Sequence, residues 1–162
     1  MELHKQNVTK KEKAKAKAER KKVTDYREAN KTIGQWKKEA QAAVNSYIRI
    51  KYHTEGCISC DKHPDPRFGG SFDAGHYRSV GSAGHMRFNI KNIFKQCKQC
   101  NRDLSGNHVE FRKRLVSRFG EQYVLDIEYD QTIRKFDPTY CKRIKRIFNK
   151  KTRIQKKRLG ID

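Results

Sequence analysis

Apolar residues recur at three- and four-residue steps in three stretches of the chain. Ile33, Trp36, Ala40, Ala43, Val44, Tyr47 and Ile48 form one stripe and predict an amphipathic helix over 29–51. Phe111, Leu115, Val116 and Phe119 predict a second helix, starting near Asn101 or Ser105 and stopping at Gly120. Tyr140, Ile144, Ile147 and Phe148 predict a last helix after Pro138, with Cys141 packed in it. Residues 72–80 alternate loosely and read as a strand. The stretch 81–85 reads as a turn, and 86–90 as a short return strand. Two of the three prolines and two glycines make 61–71 a loop. The acidic stretch 121–130 has room for a turn or two of helix.

Composition changes this picture in two ways. Hydrophobic residues make up 35% of the 162, and the mean hydropathy is −1.06. So small a core usually needs a staple such as a metal. The charge is +21, from 39 Lys and Arg against 18 Asp and Glu. That excess calls for a polyanion, with DNA or RNA ahead of an anionic membrane. The basic residues gather at the two ends. Residues 5–22 are rich in alanine and lysine but have no apolar face, so they are either disordered or a helix formed on nucleic acid. The expected division is a basic, flexible arm over 1–28, a helix and core over 29–130, and a basic helix and tail over 131–162. The N-terminal residues contain no secretory signal, and no apolar run approaches a membrane span.

Four of the five cysteines fall into Cys57-x-x-Cys60 and Cys97-x-x-Cys100. In a reducing cytosol such pairs read as one tetrahedral zinc site before disulfides. More chain lies between the knuckles than a simple zinc ribbon needs, and it carries further chemistry. Cleaving a phosphodiester needs a base for the attacking water and a cation for the developing charge. His76 is a candidate base. Asp73 and Asn101 offer hard oxygens for Mg²⁺ or Mn²⁺, with Asn107 and His108 as alternatives. Asn92 can buttress the loop. Arg78, Arg87 and Arg102 lie where they could orient phosphate, and Lys142, Arg143, Lys145 and Arg146 lead the basic C-terminal helix. No recognition helix stands out, so structure is expected to be read before sequence.

The order Cys-x-x-Cys, histidine, Asn-x-x-x-x-Cys-x-x-Cys-Asn resembles the zinc-containing His-Me finger (HNH) nucleases. That resemblance implies an α+β protein: a zinc-stapled ββα core flanked by basic helices, with His76 as general base, Asn92 orienting it and Asn101 holding the catalytic metal. The chain departs from the pattern at Gly75, where many such enzymes carry an acid or histidine; here the acid is Asp73. A longer stretch, including D-A-G-H-Y-R-S-V-G-S-A, K-Q-C-K-Q-C-N-R and L-S-G-N, resembles the NinG recombination proteins of lambdoid phages. It implies a metal-dependent endonuclease directed to Holliday junctions and D-loops, located in the bacterial host cytoplasm, with phage or host recombination proteins as partners. Junction preference calls for a homodimer or for two arms spanning separate duplexes. The competing expectations are a non-catalytic branched-DNA binder and a general HNH nuclease that cuts plain duplex.

Overall fold

The computed structural model describes residues 2–63 and 72–161, with side chains from Thr9 onward. The chain divides into two compact units, Met1–Gln35 and Trp36–Asp162. In the first, α1 spans Glu2–Ala29. Of the two states the composition leaves open for this segment, the backbone is helical. A capping box then opens α2, Ile33–Lys51. The Thr32 N–H donates to Gln35 Oε1 at 2.8 Å, and the Gln35 N–H to Thr32 Oγ1 at 3.3 Å. Each satisfies a backbone donor that a helix start leaves over.

In the second unit, α2 buries Trp36, Ala40, Ala43, Val44 and Ile48 of the predicted stripe, while Tyr47 is half-buried and Ile33, at the helix start, is exposed. A two-stranded antiparallel sheet follows, β1 (Phe72–His76) against β2 (Ile93–Cys97). Then come a π-helical turn, Gln99–Asp103, and α3, His108–Phe119. Gly120, at φ 87°, separates α3 from α4, Glu121–Glu128. The last helix, α5, spans Pro138–Leu159. Asp137 caps it by accepting the Tyr140 N–H at 2.7 Å, and Pro138 takes the first-turn position that needs no donor. One core joins α2, the sheet, α3, α4 and α5, with Phe94, Phe111, Leu115, Val124 and Cys141 fully buried in it. The protein is thus helix-rich α+β. No helix among the described residues is long and apolar enough to cross a membrane.

Four elements differ from the sequence pattern. The helix expected over 29–51 starts at Ile33, and the strand expected over 72–80 ends at His76. The return strand is not 86–90 but Ile93–Cys97. Met86 and Phe88 are buried as alternation requires, yet their segment closes local turns, with Met86 N–H on Ala83 O, Asn89 N–H on Met86 O and Asn92 N–H on Asn89 O. The true strand is buried at all five positions, and a strand covered on both faces carries no period to read. The helix expected from Asn101 or Ser105 starts at His108. Ser105, Gly106 and Asn107 all have positive φ, at 48°, 96° and 46°, and three such residues in a row stop an α-helix from forming.

Candidate metal centre and polar site

The first knuckle follows α2, and β2 fixes that junction. Lys95 is buried, and its ammonium donates to the carbonyls of His53 at 2.9 Å and Glu55 at 2.7 Å, just beyond the helix end. Its charge also lies 4.6 Å over the Phe72 ring. The second knuckle leaves the end of β2, where the Cys100 N–H points at Cys97 Sγ at 3.4 Å. The sulfurs of Cys57, Cys60, Cys97 and Cys100 all lie within 4.8 Å of one another, and Cys60 and Cys97 are 3.8 Å apart. A tetrahedron of Zn–S bonds near 2.3 Å has an edge of about 3.8 Å, so the donor set fits a structural zinc ion. Burial pushes the Cys97 thiol up and the Cys100 thiol up to about 12. Cys57 is also buried, but N–H groups of Cys97, Ser59 and Cys60 outweigh that and hold its thiol low. A cation here displaces protons as it binds.

Beside the second knuckle lies a polar cluster. Asn101 Nδ2 donates to Asp73 Oδ2 at 3.1 Å, and Arg102 forks onto both Asp73 oxygens at 2.8 and 3.1 Å. Burial works to raise the Asp73 carboxyl, but these bonds prevail and keep it below the usual carboxylate range. Gln96 is fully buried, its amide pinned by donation to Ser59 Oγ at 2.8 Å and Gly106 O at 2.6 Å. Among the described residues nothing donates to its Oε1. A Cβ on Gly75 would meet that oxygen at 2.1 Å and Asn101 Oδ1 at 3.0 Å. Two carbonyl oxygens therefore face the Cβ-less residue, and among the described residues the Gln96 one has no donor. Hard oxygens from Asp73, Asn101 and Gln96 suit a divalent ion such as Mg²⁺ or Mn²⁺. The sequence reading missed Gln96; its signal was a polar side chain inside a buried run.

His76 is held elsewhere. The β1–β2 ladder runs unbroken from Phe72↔Cys97 to His76↔Ile93. Side chains alternate along it, so Asp73 and Gly75 take one face and Ala74 and His76 the other. His76 Nε2 lies 3.0 Å from the Arg87 carbonyl. A carbonyl only accepts, so Nε2 carries the proton and Nδ1 keeps its lone pair. Burial lowers the imidazole pKa against the opposing pull of that hydrogen bond, and the ring is neutral at pH 7. Asn92 is buried and accepts the Arg78 N–H at 2.8 Å while donating to the Arg78 carbonyl at 2.9 Å. It pins the chain just after β1.

The expected phosphate contacts divide. Arg78 donates to the carbonyls of Ile127 and Asp130 at 3.0 and 2.7 Å, at the end of α4. Arg102 is on Asp73. Lys142 lies 4.7 Å over the Trp36 ring, and Lys145 pairs with Glu39 at 2.9 Å. Arg143 and Arg146 are exposed, and Arg87 is half-buried. Asn107 donates to Cys100 Sγ at 3.5 Å, and His108 lies 6.2 Å from the Tyr77 ring, on α3.

These features define a small helix-rich α+β protein with a four-cysteine centre fit for zinc. The chain belongs to the NinG family: the family model described as Bacteriophage Lambda NinG protein matches residues 1–158. Protein ninG of Escherichia phage lambda is 40% identical over 116 residues, 72% of this chain and 55% of that protein. Protein ninG of Salmonella phage P22 is also 40% identical over the same shares, and that of Escherichia phage 933W is 38% identical over 72% and 56%. The chain spans about half the length of the curated relatives it matches. No solved structure matches it.

Proposed function

We propose that this chain is a divalent-metal-dependent DNA endonuclease of the HNH type, directed to branched recombination intermediates in the phage-infected bacterial cell. The observation that carries the reading is the state of His76. It is neutral, held by the Arg87 carbonyl in the tautomer that leaves Nδ1 able to take a proton from water. It ends the strand on which Asp73 and Gly75 border the oxygen cluster. Asp73 and Asn101, with Gln96 behind them, would hold the ion. A bound ion supplies charge stabilisation for the phosphorane oxygens and the leaving oxygen. Cys57, Cys60, Cys97 and Cys100 hold zinc and tie β2 to the end of α2. The net charge of +21 supplies sequence-neutral affinity for DNA.

A second reading has its own support. Asp73 is already saturated by Arg102 and Asn101, and His76 faces away from it. Both facts favour a zinc-stapled module that grips branched DNA without cutting it. Cleavage of a synthetic four-way junction beside its linear duplex, in Mg²⁺ or Mn²⁺, separates the two. The endonuclease reading expects wild type to cut the junction first, and His76→Ala to bind it with wild-type affinity and zinc content but cut at least a hundredfold more slowly. Tight binding with no cutting in either metal leaves the binder.

A further inference from the structure

One cavity of the second unit has a charge pattern that the polar site does not use. Its volume is about 450 Å³. Lys37 of α2 lines one side, Gly84, His85 and Arg87 another, and Arg134, Lys135 and Phe136 the stretch entering α5. Among these lining residues every formal charge is positive. Asp130 stands beside them, 3.8 Å from Arg134 and 3.9 Å from His85 Nε2, with its Oδ1 taking the Thr132 N–H. Asp137 follows Phe136, and its charge acts on Cys141 together with those of Lys37 and Arg87. Two carboxylates against four cations still leave a net positive field in a concave site, which draws an anion.

Phe136 decides which anion. Its ring is braced edge-on by Phe88 at 4.9 Å and by Tyr140 at 5.3 Å, and it forms one wall of the cavity. Cations beside a fixed aromatic wall are the arrangement that seats a phosphate and stacks its base. A base inside a duplex is already stacked and cannot reach such a wall. Arg87 also links the cavity to the base candidate, because it lines the cavity and its carbonyl holds His76.

We propose that this cavity binds one nucleotide of single-stranded DNA, its phosphodiester on Lys37, Arg87, Arg134 and Lys135 and its base against Phe136. The proposal rests on the DNA reading above, and not on cleavage. It places an unpaired strand of a branched substrate next to His76.

The test is fluorescence anisotropy of the full chain with a short labelled oligothymidine across a salt series. The double variant Arg134→Glu with Lys135→Glu is expected to bind at least tenfold more weakly. Its log K against log salt slope should be shallower by about 0.7 for each phosphate no longer neutralised. Lys157→Glu with Arg158→Glu, matched in charge change at the far end of α5, should lose much less. Both positions are exposed in each pair, so matching circular dichroism melts exclude misfolding. An abasic oligomer should bind wild type several-fold more weakly than oligothymidine, and equal affinity would overturn the stacking wall. Equal losses in the two double variants would overturn the pocket while leaving the DNA reading intact. If wild type binds neither single-stranded, duplex nor junction DNA, both fall. A pocket-dependent preference for oligouridine would overturn the assignment to DNA.

Discussion

Two polar groupings share the β1–β2 sheet, and they are assembled in opposite ways. The four cysteine sulfurs converge within 4.8 Å although the two knuckles lie far apart in sequence. Asp73 and His76 are three residues apart, yet their side chains leave the sheet on opposite faces. A Cys-x-x-Cys knuckle is a tight turn that brings its own two ligands together wherever it is placed. The pair Asp-x-x-His in a strand depends on the period of two, and an odd spacing separates it. The centre is therefore specified by local turns, whereas the polar site depends on how Gln96, Asn101 and Asn92 are packed around β1.

The sharpest way to break the comparison is to remove the metal. Structural zinc in small domains contributes binding free energy on the order of 10 kcal/mol to folding. A strong chelator, or Cys97→Ser, should abolish cooperative melting of the second unit by circular dichroism. Asp73→Asn, which loses a partly exposed pair with Arg102, should lower the melt only slightly and leave the zinc content at about one per chain by elemental analysis. A chelated chain that still melts cooperatively at the same temperature would mean that the sheet stands without its centre.

Next in size is Gly75→Ala. The new methyl would sit 2.1 Å from Gln96 Oε1, and Gln96 is pinned at its other end, so the strand or the amide must shift. The expected loss is about 1–3 kcal/mol in urea titration. A double-mutant cycle with Gln96→Ala should recover most of it. Recovery would sharpen the claim that Gly75 is there to admit two oxygens; additive losses would remove it.

How far the sequence displayed all this follows from the same contrast. The α2 stripe, the knuckles, the stop at Gly120 and Pro138 at the head of α5 are local signals, and each acts over one or two turns. β2 was hidden because both its faces are covered, including Lys95, whose ammonium is satisfied by carbonyls forty residues earlier in the chain. The delayed start of α3 follows from positive φ at Ser105 and Asn107, side chains that seldom announce it. At the polar site the residue types were legible but their faces were not, because a face depends on register, and register on where β2 begins.

Asn92→Ala tests the buttress and should cost less than the methyl at Gly75 or about the same. It leaves the Arg78 N–H and carbonyl without their partner, a loss of about 1–3 kcal/mol. Asn92→Asp should fall between, since it keeps the acceptor for the N–H and loses the donor to the carbonyl. If both variants melt with wild type, those bonds are replaced by water, and the chain after β1 is not held from this side.

The smallest expected effect belongs to His76 and is read from pH. Its folded pKa lies below the ordinary value near 6.5 because burial disfavours the imidazolium. The unfolded chain therefore binds a proton first as the pH falls. The stability tied to the neutral ring is complete above about 6.5 and declines between that value and the lower folded pKa, so acid favours unfolding in that window. His76→Gln keeps a donor for the Arg87 carbonyl and has no proton to gain, so its stability should change less between pH 7 and 5 than that of wild type. Asp73 has the same sign, being held low by Arg102, but its loss comes at more acid pH, below the usual carboxylate value. Two separate acid steps in urea midpoints, one removed by His76→Gln and the other by Asp73→Asn, would mean that the two faces titrate independently. A single step lost in either variant would mean that the faces are coupled through the sheet, and the opposition between them would have to be given up.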